Sequence, residues 1–208
     1  MISVCFAAKG GSGTTVVAAS MGLCAHGPTW LIDLAGDLPA VLGITEPDGP
    51  GVLDWLRSDA TPGRLLALAI EVTDDVRLLP RGAKGPTAAA RWAALSTWLA
   101  GLGADVVVDA GTAPPPPELA AVADRTLLVT RACYLALRTA VRRPTPATGV
   151  VLVAEPGRAL GATEIEAALG VPVVATVLVD PAVARAVDAG LLAGRLPAGM
   201  RRAMRAAA

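Results

Sequence analysis

The chain has 208 residues, of which 53% are hydrophobic and only 17% are charged, so it is too apolar for a disordered protein. Its 18 basic and 18 acidic residues cancel, which argues against a protein that coats nucleic acid through bulk charge. The length fits one domain over residues 1–208 with a sizeable core. Asn is absent, which excludes an N-glycosylation site and the guanine-reading motif Asn-Lys-x-Asp.

Short runs rich in Val and Leu alternate along the chain with longer segments rich in Ala and Leu. The short runs are continuously apolar, as expected of strands buried on both faces of a parallel sheet. We therefore predict an α/β fold, with a mostly parallel twisted sheet of about seven strands flanked by helices. The predicted strands are residues 2–7, 30–32, 76–79, 106–108, 126–129, 150–153 and 173–179. The predicted helices are residues 15–25, 87–100, 119–123, 135–141, 163–169 and 182–189.

Two segments rich in Pro and Gly, residues 45–51 and 111–117, are predicted to be loops, and we expect no helix across the four prolines 114–117. Helical spacing relates Arg91, Ala94, Leu95, Trp98 and Leu99, and we expect Trp92 and Trp98 to pack against the sheet.

The three cysteines, Cys5, Cys24 and Cys133, are far apart and include no Cys-x-x-Cys pair. This pattern does not predict a zinc or iron–sulfur site, and it favours a reducing cytoplasm. Cys5 and Cys24 lie in apolar runs, where we expect buried thiols.

The segment between the first predicted strand and the first predicted helix has the sequence Ala-Lys-Gly-Gly-Ser-Gly-Thr-Thr, residues 8–15. A glycine-rich turn at this place surrounds an anion with backbone N–H groups, and the helix N-terminus adds its positive dipole. Glycine also permits positive φ angles and a close approach of the backbone to phosphate. The segment therefore predicts a phosphate-binding loop.

This loop resembles the deviant Walker A motif of the ParA/MinD ATPases, Lys-Gly-Gly-x-Gly-Lys-Thr-Thr. The resemblance implies that Lys9 is the signature lysine, which crosses a dimer interface to the partner's nucleotide, and that Thr15 holds Mg²⁺. Thr14 stands where the family has the in-loop lysine, so a positive charge on the phosphates is missing. The irregular motif is similar to that of the CpaE/TadZ-like branch. The residues implied in nucleotide binding are Lys9, Gly10, Gly11, Ser12, Gly13, Thr14 and Thr15.

Two predicted strands end in an acid, Asp33 and Asp109, at the sheet edge where α/β folds bind ligands. Asp109 resembles the Walker B aspartate, and Asp33 resembles the first Asp of the family's Asp-x-Asp segment; both are implied Mg²⁺ ligands. The second Asp of that segment is replaced by Ala35, so the implied residue that positions water is Asp33 or Asp37. The alternative is structural, with Asp33 capping a turn and Asp109 accepting hydrogen bonds at a strand end.

Downstream, Pro181 follows Asp180 in a segment that resembles the one that family members lay against adenine. Glu155 stands where many relatives have a base-reading Asn, so base selectivity is left open. Lys84 is a further candidate to replace the missing in-loop lysine.

Two basic sets admit nonspecific DNA binding, as in ParA relatives, or a solvated helix end. Membrane insertion is not expected, because Met200 and Met204 are the only large apolar residues of the tail. The sets are Arg138, Arg142 and Arg143, and Arg195, Arg201, Arg202 and Arg205.

The resemblance implies a switch protein that binds ATP and Mg²⁺, forms a homodimer on nucleotide binding, hydrolyses ATP slowly and positions a cargo such as DNA, a pilus or the division machinery. The departures from the motif leave two alternatives: a nucleotide-binding scaffold without turnover, and a constitutive interaction protein that binds no nucleotide. A relative of ATP-dependent ligases or metal-insertion proteins has less support, because no second substrate pocket is evident.

Overall fold

The computed structural model describes residues 1–83, 90–142 and 147–207, and within them one eight-stranded sheet has the order β3-β4-β2-β5-β1-β6-β7-β8. All neighbouring strands are parallel except β3 and β4. The predicted mostly parallel α/β fold and all seven predicted strands are confirmed. The strands are β1 (Ile2–Phe6), β2 (Thr29–Asp33), β3 (Ile70–Glu71), β4 (Val76–Leu79), β5 (Asp105–Asp109), β6 (Arg125–Arg131), β7 (Gly149–Ala154) and β8 (Val173–Leu178).

The six predicted helices are also present, with shifted ends; for the second of them, residues 87–89 lie outside the described residues. The prediction that no helix includes residues 114–117 is wrong at Pro117, because the first helical position needs no N–H donor. The helices are α1 (Thr14–Cys24), α2 (Leu38–Leu42), α3 (Val52–Trp55), a 3₁₀ helix (Pro62–Leu68), α4 (Trp92–Ala100), α5 (Pro117–Val122), α6 (Tyr134–Arg142), α7 (Ala162–Leu169), α8 (Pro181–Asp188) and α9 (Ala198–Ala207).

Each face of the sheet is covered by its own set of helices. Side chains such as Leu31 and Val107 pack against α1, α2, α8 and α9, whereas Ile32 and Val108 pack against α3 to α7 and the 3₁₀ helix. Adjacent residues separate in this way because successive side chains of a strand point to opposite faces. The expected packing of Trp98 is confirmed, since its ring meets that of Trp30 edge to face at 5.4 Å.

The C-terminal helix α9 is part of the core. Met200 and Met204 are 5% and 1% exposed and pack in the layer that contains α1, while Arg201, Arg202 and Arg205 remain exposed. The tail is therefore a helix whose apolar side packs on the core and whose arginines face solvent. Among the described residues, no helix is long and apolar enough to cross a bilayer.

Candidate nucleotide-binding site

The carboxyl ends of three neighbouring strands, β1, β5 and β2, bring the candidate acids together. Asp109 is in register with Asp33 on one side and with Cys5 on the other. Because side chains in register point to the same face, the two carboxyl groups lie side by side. Both are completely buried, and burial raises the pKa of the Cys5 thiol as it does theirs.

The loop between β1 and α1 has the backbone of an anion-binding turn. Gly11 and Gly13 have φ angles of +76° and +88°, which residues with an L side chain rarely adopt. Gly13 is the N-cap of α1 and provides no side-chain cap, so the first N–H groups of this helix are available to a ligand. The Ser12 hydroxyl donates to the Lys9 carbonyl at 2.8 Å and holds the turn closed.

The residues of this loop differ in their exposure to solvent. Lys9, Gly10 and Gly11 are exposed, so the Lys9 side chain extends into solvent. Thr14, the first residue of α1, is only 7% exposed and brings no charge to the position of the missing lysine. Thr15 is half-buried and points to Asp109.

Asp109 carries an oxygen that lacks a protein partner. Its Oδ1 accepts the Gly111 N–H at 3.0 Å, whereas its buried Oδ2 has no hydrogen bond from any described residue. Burial raises the pKa of Asp109; hydrogen bonds from the Thr15 hydroxyl and the Gly111 N–H oppose the shift, and the Asp37 carboxylate adds to it. A buried polar atom without a partner is costly, and a bound cation would remove that cost.

Asp33 is hydrogen-bonded through both of its oxygens. Oδ1 accepts the N–H groups of Ala35 at 3.0 Å and Gly36 at 2.6 Å, and Oδ2 accepts that of Leu38 at 3.2 Å. Burial raises its pKa to about 6, the hydrogen bonds act against this shift, and the Asp109 carboxylate contributes to it. Asp33 thus fixes the turn that leads into α2, as the structural alternative described.

Asp37 lies at the N-cap of α2, is exposed, and makes no cap hydrogen bond with its side chain. Its charge acts on Asp109, so it belongs to the same group of acids. Of the two candidates for positioning water, Asp37 is the one with an uncommitted carboxylate.

Divalent cations would need ligands from outside the protein at this site. No group of three or more His, Cys, Asp or Glu residues in the described part of the chain is arranged to hold a metal ion. Mg²⁺ is commonly bound by one or two carboxylates together with phosphates and water. The Oδ2 of Asp109 and the Thr15 hydroxyl fit this incomplete donor set.

An apolar cavity of about 340 Å³ adjoins the loop. Its lining includes Gly13 and Val16 at the start of α1, Val153 near the end of β7, and side chains of α8. Asp180 accepts the Ala182 N–H at 2.7 Å and so fixes the start of α8. Pro181 stands next to this lining but is not part of it, so the predicted base contact is adjacent to the cavity.

Comparison with known proteins rests on structure, since no protein-family model and no curated protein matches the sequence. A ParA family ATPase from Chlorobium tepidum has a TM-score of 0.75 at 16% identity, covering 98% of this chain and 95% of its own. MinD from Aquifex aeolicus, in a MinC:MinD complex, has a TM-score of 0.74 at 16% identity, covering 99% and 93%. MinD from Pyrococcus horikoshii, complexed with Mg-ADP, has a TM-score of 0.72 at 19% identity, covering 99% and 93%. The chain has the ParA/MinD fold. These likenesses do not single out the CpaE/TadZ-like branch.

The structure places five residues that the sequence singled out at one edge of the sheet: Lys9, Thr15, Asp33, Asp37 and Asp109. The sequence analysis left other features of the site out. It placed Val183 and Val187 in the segment that resembles the adenine contact, but it missed Val16 and Val153, which have the pattern of ordinary core residues. It also assigned no role to Glu155, which forms ion pairs with Arg131 and Arg158. Lys84 lies outside the described residues.

Proposed function

We propose that this protein is an ATP- and Mg²⁺-dependent dimerising switch of the ParA/MinD type, with slow ATP hydrolysis, that positions a cargo in the cytoplasm. The observation that carries this proposal is the uncapped N-terminus of α1 beside the Oδ2 of Asp109, which has no protein partner. The Mg-ADP complex of a MinD with the same fold supports the choice of ligand.

In the proposed site, the backbone N–H groups of residues 10–15 bind the phosphates. Thr15 and Asp109 would provide two ligands of Mg²⁺, and the positive charge of this ion would offset the negative charge of the phosphates. The two acids, one at each of two adjacent strand ends, would repel each other without such a cation.

Hydrolysis depends on positioned positive charge, because the transferred phosphoryl group spreads negative charge over its oxygens. Thr14 supplies none, so we expect slow turnover. Asp37 orients the attacking water, and Asp33 acts indirectly by holding the turn on which Asp37 stands.

At the other end of the nucleotide, the apolar cavity beside Gly13 receives the base. Its volume of about 340 Å³ is at the lower end of the range for small-molecule sites, as suits part of a ligand. Glu155 is held by two arginines and does not read the base, so the cavity selects by shape more than by hydrogen bonding.

In the proposed switch, nucleotide binding converts the monomer to a dimer. Lys9 is exposed at the tip of the loop, where its flexible four-carbon stem suits a reach to the nucleotide of a second copy. The cargo could then recognise a surface that exists only in the nucleotide-bound dimer.

A scaffold that binds nucleotide without turnover is the second candidate, and the buried Thr14 favours it. Calorimetric titration of Mg-ATP and a phosphate-release assay separate the candidates. The switch with hydrolysis predicts binding in the wild type, together with a slow rate that disappears in Lys9→Ala and Asp109→Ala. Binding without any rate would establish the scaffold, and no binding by the wild type would overturn both.

A further inference from the structure

The carboxyl edge of the sheet is divided by charge on the two sides of the phosphate-binding loop. Exposed carboxylates of Asp37, Glu46 and Asp48 follow β2, whereas exposed cations of Arg138 and Arg142 follow β6. The strand order β2-β5-β1-β6 places the loop and Lys9 between these two sets.

The basic side forms an open groove beside the loop. Lys9, Leu135, Arg138, Thr139 and Arg142 line a cavity of about 510 Å³. Helix α6 turns its alanines toward the sheet and leaves large side chains outside: Tyr134 is 68% exposed and Leu135 is 58% exposed. Within the described residues, no ion pair involves either arginine of α6.

The acidic side lies over the same edge of the sheet. Glu46 and Asp48 line a cavity of about 300 Å³ together with Asp33 at the end of β2 and Pro80 after β4. Neither Glu46 nor Asp48 forms an ion pair in the part of the chain that the structure describes. Arg81 also lines this cavity but is half-buried, so the exposed charges of the acidic side are the carboxylates of Glu46 and Asp48, whereas those of the basic side are cations.

A two-fold axis that passes through the loop region and runs perpendicular to the sheet edge would place the β2 side of one copy on the β6 side of the other. Symmetric dimers use the same patch on both subunits, so such a patch must complement itself. An acidic half and a basic half on either side of the axis meet this condition. Exposed charge pairs of this kind fix the orientation and the rate of association more than the affinity.

We propose that Glu46 and Asp48 of one copy pair with Arg138 and Arg142 of a second copy, and that the symmetric contact forms at the same time. Leu135 and Tyr134 are covered in the same interface. This inference rests on the proposed function, since it assigns the residues that orient the nucleotide-dependent dimer.

Charge reversal tests the pairing with two double variants, Arg138→Glu/Arg142→Glu and Glu46→Arg/Asp48→Arg. Either variant alone places like charges opposite each other in both symmetric contacts. An equimolar mixture restores opposite charges in both contacts, since the two reversed surfaces meet in one contact and the two unchanged surfaces meet in the other. Light scattering with Mg²⁺ and a slowly hydrolysed ATP analogue measures the result, and nucleotide titration of each variant checks the site.

We expect each variant alone to dimerise about 10-fold or more weakly than the wild type, with nucleotide binding retained, and the mixture to recover the dimer mass. Arg202→Glu/Arg205→Glu is the matched control, because Arg205 lines a cavity with Met1 and Asp105 at the opposite edge of the sheet, and it should dimerise normally.

Two results would overturn the pairing: loss of the dimer without recovery in the mixture, or wild-type dimerisation of the variants, whether or not they have lost binding to DNA at low salt. If the wild type binds nucleotide but stays monomeric, the dimer of the proposed function fails. If the wild type binds no nucleotide, the proposed site fails.

Discussion

Asp33 and Asp109 lie directly opposite each other in the register of β2 and β5, and neither is exposed to solvent. Asp33 accepts three backbone N–H groups, while Asp109 keeps one oxygen without a protein partner. The pair therefore divides two tasks. Asp33 fixes the backbone of the turn before α2, and Asp109 keeps one oxygen uncommitted, which the proposed site assigns to Mg²⁺.

The first prediction concerns Asp109→Asn without nucleotide. The substitution removes a desolvated charge but keeps an acceptor for the Gly111 N–H, so the free energy of unfolding should rise by about 1–3 kcal/mol. Urea unfolding with and without Mg-ATP measures this change and the expected loss of stabilisation by Mg-ATP. Asp105→Asn, at the exposed start of the same strand, is the control and should respond to Mg-ATP as the wild type does. Equal stabilisation of the wild type and Asp109→Asn by Mg-ATP would remove Asp109 from the metal site.

The second prediction is a pH dependence of stability that originates in Asp33. Its pKa is about 6 in the folded protein and about 3.9 in an unfolded chain, so the folded state binds the proton more tightly. This contribution to the free energy of unfolding is fully present below pH 4, is lost as the pH rises through 6, and amounts to about 3 kcal/mol.

Denaturant unfolding between pH 4.5 and 7.5 measures the effect as the difference between the wild type and Asp33→Asn. The variant should show a flatter decline with rising pH, whatever its absolute stability. Asp59→Asn removes an exposed carboxyl group and should follow the wild type. Parallel curves for the wild type and Asp33→Asn would contradict the prediction.

The third prediction restores the missing charge with Thr14→Lys. An ammonium at the start of α1 would bind the phosphates, and one charge-assisted hydrogen bond contributes about 1.5–3 kcal/mol, so the affinity for Mg-ATP should rise about 10- to 100-fold. Calorimetric titration measures this affinity. Thr14→Met adds a side chain of similar length without the charge, and an equal gain in this variant would show that charge is not the cause.

The fourth prediction concerns the close contact between Gly43 and Gly190. A Cβ at Gly43, where φ is +75°, would lie 1.9 Å from the Gly190 carbonyl oxygen. This contact joins the end of α2 to the end of α8, so it links the helix that follows Asp37 to the helix that lines the apolar cavity. Gly43→Ala should reduce the free energy of unfolding by about 3 kcal/mol in urea. Gly63→Ala meets no atom within 4 Å and is the control; equal stability of the two variants would show that the contact yields easily.

Much of the fold and part of the site followed from local patterns in the sequence. Continuous Val and Leu runs predicted the parallel strands, and the acids that end two of them predicted the pairing of Asp33 with Asp109. Other features depend on contacts between distant segments. The burial of Met204, the approach of Gly43 to Gly190, and a cavity formed by valines leave no local signal, because each needs the tertiary structure to bring its parts together.

The most direct test of the central claim is the molar mass of the protein by light scattering, without nucleotide and with Mg²⁺ and a slowly hydrolysed ATP analogue, for the wild type and Lys9→Ala. Arg64→Ala removes an exposed cation of the 3₁₀ helix and serves as the control. The account predicts a nucleotide-dependent change from monomer to dimer in the wild type and the control, and a monomer in Lys9→Ala that still binds nucleotide. A wild-type mass that does not change with nucleotide, or a Lys9→Ala variant that dimerises like the wild type, would contradict it.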